Sequence, residues 1–352
     1  MVEWKKLGEV CQVLDSQRKP VSKGNRSQGE YPYYGANGIQ DYVDGYIFDG
    51  TYLLLGEDGS VINTDNSPVL HWATGKIWVN NHAHILQENN KALLRYLYYT
   101  LQCTDVSDIV RGMPPKINQA NMRNILIPIP SLEEQTRIVG ILDTFTSAIE
   151  NLKEQIAQRR KQCEYYRDQL LDLEGKPGVE MKTLGEVCEV CTGGEVPNNT
   201  IKGQLSATEE YPYAVYANGK ETYGYSKTYQ IAEDAVCISS IGANTGAVFY
   251  KKGKFTPAIR LKVLIPKDGV ITKYLFYASS KIDFRGKNTG SVPNINANYV
   301  KNKQIPLPPL QEQQRIVSIL DSFEASIQNL EAQLEQREKQ YEYYRNKLMT
   351  FE

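Results

Sequence analysis

From Ile138 the chain places apolar side chains at alternating steps of four and three: Ile138, Leu142, Phe145, Ile149, Leu152, Ile156, then Arg159, Cys163, Tyr166 and Leu170. That is a heptad seam, and a stripe of this length needs a partner helix to cover it. No proline falls between Leu132 and Leu173, so one uninterrupted helix of about 60 Å is predicted. The partner lies in the same chain. A second seam runs Ile316, Leu320, Phe323, Ile327, Leu330, Leu334, Arg337, Tyr341, Tyr344 and Leu348, each 178 residues beyond its counterpart (316 − 138; 348 − 170). The polar interruption is in register, Arg159 with Arg337. Such a residue either fixes the pairing register or packs its stem flat with its head in solvent.

The remainder repeats as well. Leu7-Gly8-Glu9-Val10-Cys11 returns as Leu184-Gly185-Glu186-Val187-Cys188, Tyr31-Pro32-Tyr33 as Tyr211-Pro212-Tyr213, and Ile127-Pro128-Ile129-Pro130 as Ile305-Pro306-Leu307-Pro308. The predicted plan is a globular part (1–130), a helical spacer (131–174), a second globular part (175–308) and a second spacer (309–352). Runs at 46–55 and 235–241 read as strands bounded by glycine turns, and 91–102 and 271–282 as helices. Prolines forbid helix before Ser131 and Pro309, and Ser131 with Glu134 forms a candidate capping box. GEVCQV with NILIPIP, and GEVCEV with KQIPLP, are expected to pair as neighbouring strands, which would bring the ends of each globular part together. The spacers would then run antiparallel. The predicted fold class is α+β: two α/β domains separated by two long helices that form an antiparallel coiled coil, with a pseudo-two-fold internal repeat.

Composition narrows the function. At net charge −1 the chain does not find nucleic acid by bulk charge, so any positive field must be local or supplied by a partner. No run of 18 apolar residues and no signal-peptide core is present, so a cytoplasmic chain without a membrane span is expected. Six cysteines, at 11, 103, 163, 188, 191 and 237, make no dense framework, and the single pair Cys188/Cys191 is weak grounds for zinc; no metal is expected. The three histidines (71, 82, 84) read as core or loop packing. Two similar but unequal domains on a two-fold related spacer suit two unequal half-sites on duplex DNA. A structural adaptor carrying two binding modules has the same geometry.

Here the residues carry a family resemblance. The YPYYGANGI and YIFDGTYLLLGEDG stretches, the CTGG start of the second globular part, the IPIPSLEEQTRIV and IPLPPLQEQQRIV entries to the spacers, and the LDTFTSAIENL and LDSFEASIQNL runs resemble the specificity subunit of type I restriction–modification systems. The resemblance implies that each globular part is a target-recognition domain reading one half of a bipartite, asymmetric DNA site. It implies two modification subunits that bind S-adenosylmethionine and methylate adenine N6, and restriction subunits that bind ATP. This chain has no amino-methyltransferase glycine motif, no Asn/Asp-Pro-Pro-aromatic motif and no Walker A motif, so it is read as a non-enzyme with no cofactor of its own. A stand-alone DNA- or protein-binding adaptor or decoy is the alternative.

Candidate DNA contacts are basic and amide residues on turns: Arg18, Lys19, Lys23, Arg26, Asn37, Lys76, Arg111 and Lys116 in the first part, and Lys202, Lys220, Asn244, Arg260, Arg285, Lys287 and Asn294 in the second. Arg and Lys hold phosphate or read guanine, and Asn reads adenine. Tyr34 and Tyr216, beside Asn37 and Asn218, occur in both parts and read as fold support. The spacer flanks Glu133, Glu134, Arg137, Glu312, Gln313 and Arg315 are candidate docking positions for the modification subunits.

Overall fold

A computed structural model of the chain describes residues 2–285 and 295–351. They form two units, 1–153 with 332–352, and 154–331, each holding one globular part and a stretch of both long helices.

The first unit contains β1 (Glu3–Lys6), α1 (Leu7–Val10), β2 (Cys11–Val13), β3 (Gln28–Gly35), β4 (Gly38–Val43), β5 (Phe48–Gly56), β6 (Leu70–Val79), β7 (Ala83–Glu88), α2 (Leu94–Leu101), α3 (Gln119–Arg123), β8 (Leu126–Ile129) and the start of α4 (Leu132–Leu170). Six strands form one sheet in the order β2-β7-β5-β6-β3-β4, while β1 pairs with β8. The second unit contains the end of α4, β9 (Glu180–Thr183), α5 (Leu184–Val187), β10 (Cys188–Thr192), β11 (Ile201–Lys202), β12 (Tyr213–Tyr216), β13 (Gly224–Ser226), β14 (Ala235–Ile238), β15 (Val248–Lys251), β16 (Phe255–Pro257), β17 (Lys262–Pro266), α6 (Thr272–Ser280), α7 (Ala297–Lys301), β18 (Gln304–Leu307) and the start of α8 (Leu310–Met349). Its sheets run β10-β17-β14-β15 and β11-β13-β12-β16, and β18 pairs with β9.

The expected pairing is displaced by one strand. Ile127–Ile129 bonds to Glu3–Lys5, not to GEVCQV, and Ile305–Leu307 bonds to Glu180–Lys182. The reason is local. Leu7–Val10 and Leu184–Val187 each close one helical turn, tied at the start by Glu9 to the Lys6 N–H (3.3 Å) and by Glu186 to the Thr183 N–H (2.7 Å). The residues beyond that turn pair instead with β7 and β17. The ends of each globular part still meet in one short antiparallel ladder.

Within each unit the two long helices lie side by side and antiparallel. In the first, Phe145 stacks on Tyr344 (5.3 Å, 26°) and Lys153 pairs with Glu338 at 3.0 Å. In the second, Tyr166 stacks on Phe323 (5.3 Å, 25°) and Arg160 pairs with Glu331 at 2.6 Å. These are the same contacts with the helices exchanged. Of the seam, Ile138, Leu142, Ile149, Ile156, Ile316 and Leu320 are buried, and Phe145, Leu152, Phe323, Ile327, Leu330 and Leu334 half-buried. The seam arginines pack their stems. Arg337 lies 5.8 Å over the Phe145 ring and Arg159 5.8 Å over Phe323. Their heads reach Gln340 and Gln162 on their own helices, so neither acts as a buried polar register pin.

A fully buried glutamine fastens each long helix to its globular part. Gln135 accepts from the Leu93 N–H (2.9 Å) and donates to the Pro130 carbonyl (3.0 Å). Gln313 accepts from the Ile271 N–H (2.9 Å) and donates to the Pro308 (2.9 Å) and Gly269 (3.0 Å) carbonyls. Gln313 is therefore not on an exposed flank, contrary to the docking expectation. Tyr96 and Tyr274 add hydroxyl bonds to the Pro128 (2.7 Å) and Pro306 (2.5 Å) carbonyls. Ser131 caps α4 through the Glu134 N–H at 3.3 Å, but Glu134 turns to Arg137, leaving the capping box half made.

The first unit holds one further internal tie. Buried Asp15 meets His84 Nδ1 (2.6 Å), the Ile85 N–H (3.0 Å) and the Gln119 amide (2.8 Å). His84 Nε2 donates to the Ile117 carbonyl at 2.8 Å. Glu57 takes Arg18 on one oxygen (2.5 Å) and Lys116 on the other (3.1 Å). Burial alone would raise the Asp15 carboxyl, but the bond and charge from His84, with the Ile85 and Gln119 bonds, outweigh it and hold it below its usual value.

Two outcomes are expected. Gln135→Leu leaves the Leu93 N–H and the Pro130 carbonyl orphaned, and should cost about 1–3 kcal/mol in denaturant titration; an unchanged midpoint would refute the fastening role. Asp15→Asn should cost about 3 kcal/mol near neutral pH, because it removes the buried carboxylate that faces Arg18 at 3.6 Å and leaves that cation less compensated. Since the folded Asp15 pKa is depressed, its stabilisation is present above the unfolded value of about 4 and is lost as pH falls through the folded value. The gap between wild type and variant in thermal melts should therefore narrow below about pH 4.

Candidate nucleic-acid interface

The first unit sorts its candidates into two groups. Arg18 and Arg26 are structural ties. Arg18 is held by Glu57 and by the Asp15 (2.9 Å) and Ala83 (2.9 Å) carbonyls. Arg26 bonds Asp41 (3.1 Å) and the Val21 carbonyl (3.0 Å), with its guanidinium 4.1 Å over the Tyr33 ring. Lys19, Lys23, Asn37, Lys76, Arg111 and Lys116 are exposed. Asn37 sits on the tight β3–β4 turn, Lys76 lies 4.7 Å over Tyr46, and Lys116 is shared with Glu57.

In the second unit Lys202, Lys220, Asn244, Arg260 and Arg285 are exposed. Arg285 Nε donates to the Thr245 carbonyl (2.9 Å) and the Asn244 amide to the Asn218 carbonyl (3.3 Å). Lys287 and Asn294 fall outside the described residues. Asn218 has the supporting part expected of it: its side chain accepts from the Ser240 N–H (2.7 Å) and donates to the Ile259 carbonyl.

Two features here were not anticipated. Ile259 (φ 51°) and Arg260 (φ 60°) are both left-handed, a conformation costing of order 1–3 kcal/mol per non-glycine residue. The turn they form lines a cavity of about 540 Å³ with Gly193, Gly194, Glu195, Val196 and Ile241. The second is a pair of buried lysines. Lys251 donates to the Lys220 carbonyl (2.6 Å) under the Tyr216 ring, and Lys262 to the Arg260 carbonyl (3.0 Å). Burial pushes both ammonium groups below the usual lysine range, helped for Lys262 by Arg260. Among the described residues neither has a carboxylate partner. Strand register sets Lys262 opposite Ile238 as it sets His84 opposite Leu55, so the two side chains occupy equivalent places.

Asp15, Glu57 and His84 could in principle hold a metal ion, their ligand atoms lying within 4.8 Å of one another. The donor set does not fit one. Arg18 and Lys116 already satisfy both Glu57 oxygens, and His84, Ile85 and Gln119 satisfy Asp15. Cys188 donates to the Leu184 carbonyl at 2.8 Å and Cys191 to Glu189 at 3.4 Å, so neither is arranged as a ligand pair. What the two units offer is donors on turns: cations and amides set on rigid sheets.

Comparison with known proteins gives the affiliation. The family model for the type I restriction modification DNA specificity domain matches residues 1–159 and again 177–338. A candidate type I restriction enzyme specificity subunit of Haemophilus influenzae is 33% identical over 99% of this chain and 96% of its own length. The EcoR124I/EcoR124II specificity subunit of Escherichia coli is 30% identical over 99% and 94%. Among solved structures, the S subunit of a type I restriction–modification system from M. genitalium superposes with a TM-score of 0.73 at 17% identity, covering 100% of this chain and 97% of that one, a likeness of fold. With both repeats matched and relatives aligned nearly end to end, the chain belongs to the type I restriction–modification DNA specificity family.

Proposed function

We propose that this chain is the sequence-reading, non-catalytic subunit of a type I restriction–modification assembly. Residues 1–130 and 175–308 act as target-recognition domains, each reading one half of a bipartite, asymmetric site on double-stranded DNA. The helical segments 131–174 and 309–352 set the spacing between the halves and dock two adenine-N6 methyltransferase subunits. Those subunits bind S-adenosylmethionine, restriction subunits bind ATP, and the assembly works in the cytoplasm. No helix among the described residues is long and apolar enough to cross a membrane.

The observation that carries the reading is the family match given twice along one chain, with unequal turns between the repeats. The first unit sets buried His84 and half-buried Arg18 against Asp15 and Glu57, whereas the second buries Lys251 and Lys262 without carboxylates. Two unlike surfaces on two like frames suit two unlike half-sites. Docking is supported by an exposed aromatic surface that occurs once per unit, Tyr165 (62% exposed) beside Tyr166 and Tyr343 (60%) beside Tyr344. Direct contacts are proposed for Lys19, Lys23, Asn37, Lys76 and Arg111 in the first unit, and for Lys202, Lys220, Asn244, Arg260 and Arg285 in the second. Arg18 and Arg26 serve instead to hold the first unit's loop in place.

Two experiments test the reading. Replacing residues 1–130 with the corresponding domain of a relative, then mapping N6-methyladenine in cells that carry the partner subunits, should change one half-site and spare the other. A change in both would refute modular reading. The second experiment lengthens the spacer by one heptad, which keeps the seam facing its partner. Repeat-equivalent points, after Leu152 and after Leu330, do not face each other. Lys153 pairs with Glu338, so the point opposite lies after Glu338. Seven residues inserted after Leu152 and after Glu338 add about 10 Å, and the unread gap should grow by roughly three base pairs. An active variant with its original gap would show that something else sets the spacing.

A further inference from the structure

The left-handed turn at Ile259–Arg260 is clamped on all its backbone polar groups. The Ile259 and Arg260 N–H groups donate to the Gly194 (2.8 Å) and Gly193 (3.1 Å) carbonyls. The Ile259 carbonyl accepts from the Asn218 amide. The Arg260 carbonyl accepts from both the Ser240 hydroxyl (2.6 Å) and the Lys262 ammonium (3.0 Å). Ser240 and Lys262 are buried, and Asn218 is itself pinned by the Ser240 N–H. Gly193 is required, since a Cβ there would come within 2.8 Å of the Ala258 nitrogen and the Pro257 carbonyl carbon. Donors and acceptors from three separate segments thus hold two residues in a conformation that their own side chains disfavour.

That backbone presents an exposed Arg260 whose guanidinium has no carboxylate partner among the described residues. Glu195, also exposed, lines the same cavity without pairing to it. In the first unit the equivalent residues, Asn81 and His82, are not left-handed. A phosphate contact needs a cation but not a fixed one, and a carboxylate on the same rim opposes it. A base edge asks for a fork held in one orientation. A carboxylate beside the fork accepts from cytosine N4, as the partner of guanine requires.

Resting on the DNA-reading function proposed above, we propose that Arg260 reads the guanine of a G·C pair in the half-site of the second unit, with Glu195 facing its cytosine. Asn218, Ser240 and Lys262 are positioning residues that act through the Arg260 backbone.

The test uses the chain assembled with its modification subunits. Competition binding compares the mapped cognate duplex with duplexes in which each base pair of that half-site is replaced in turn. Arg260→Ala should lose discrimination at one G·C pair by roughly 5- to 150-fold and keep it elsewhere. Arg260→Lys, which keeps the charge without the fork, should lose it too. Ser240→Ala should lose part of it at that same pair. Arg260→Gly relieves the backbone and should melt no lower than wild type, which separates lost reading from lost folding. The inference is overturned by uniform weakening on all duplexes with a shallower salt dependence, by unchanged discrimination, or by a mapped second half-site lacking a G·C pair. If the wild-type assembly itself shows no sequence preference, the DNA-reading function falls with it. Preference that survives loss of Arg260 sinks this assignment alone.

Discussion

A buried amide where each long helix leaves its globular part is the constraint on which the arrangement depends. The helix must start immediately after an Ile-Pro-x-Pro strand, so the carbonyl of the buried last proline, Pro130 or Pro308, is left without a ladder partner. Gln135 and Gln313 meet that need from both sides, accepting from the N–H at the head of α2 or α6 and donating to the proline carbonyl. Tyr99 reaches Asp143 and Tyr277 reaches Asp321, two seam steps further along the long helix. The direction of each helix is therefore set by hydrogen bonds in a water-poor core, where an unmade one is costly.

Much of this was legible in the sequence because helix periodicity and proline are strong signals. The seam, the doubled plan and the places of α2 and α6 follow from them. Extending the seam by one three-residue step, from Ile138 to Gln135, would also have exposed the glutamine as an inward residue. The pairing of Ile127–Ile129 was misassigned because a single capped turn at Leu7–Val10 shifts the ladder by one strand, and a four-residue helix leaves no periodic trace. Arg18 and Arg26 look like surface cations until the fold brings Glu57 and Asp41 to them from 39 and 15 residues away. The left-handed Ile259 leaves no trace at all, since a β-branched residue is the last expected there.

The two units also solve one electrostatic problem differently. At the inward end of the strand after the β6 or β16 segment, the first unit buries a histidine among carboxylates and the second a lysine among carbonyls. The first solution ties the floor beneath its loops together through Asp15 and Glu57. The second keeps uncompensated positive charge just under the surface, which makes the potential over this unit more favourable to an anion than the chain's net charge of −1 suggests.

The ion pairs between the long helices have a consequence for inheritance. A chain built of two copies of one unit faces the hazard that each helix is as good a mate for itself as for its sibling. At the equivalent positions 153 and 331 the residues are Lys and Glu, and at 160 and 338 they are Arg and Glu. At these two facing positions the first helix carries the cations and the second the anions, although both helices are acidic over their whole length. An antiparallel pair of first helices from two molecules would set Lys153 against Arg160, and a pair of second helices would set Glu331 against Glu338. Four side chains in two ion pairs thus make the contact between the twin helices complementary where a contact between like helices would set like charges together.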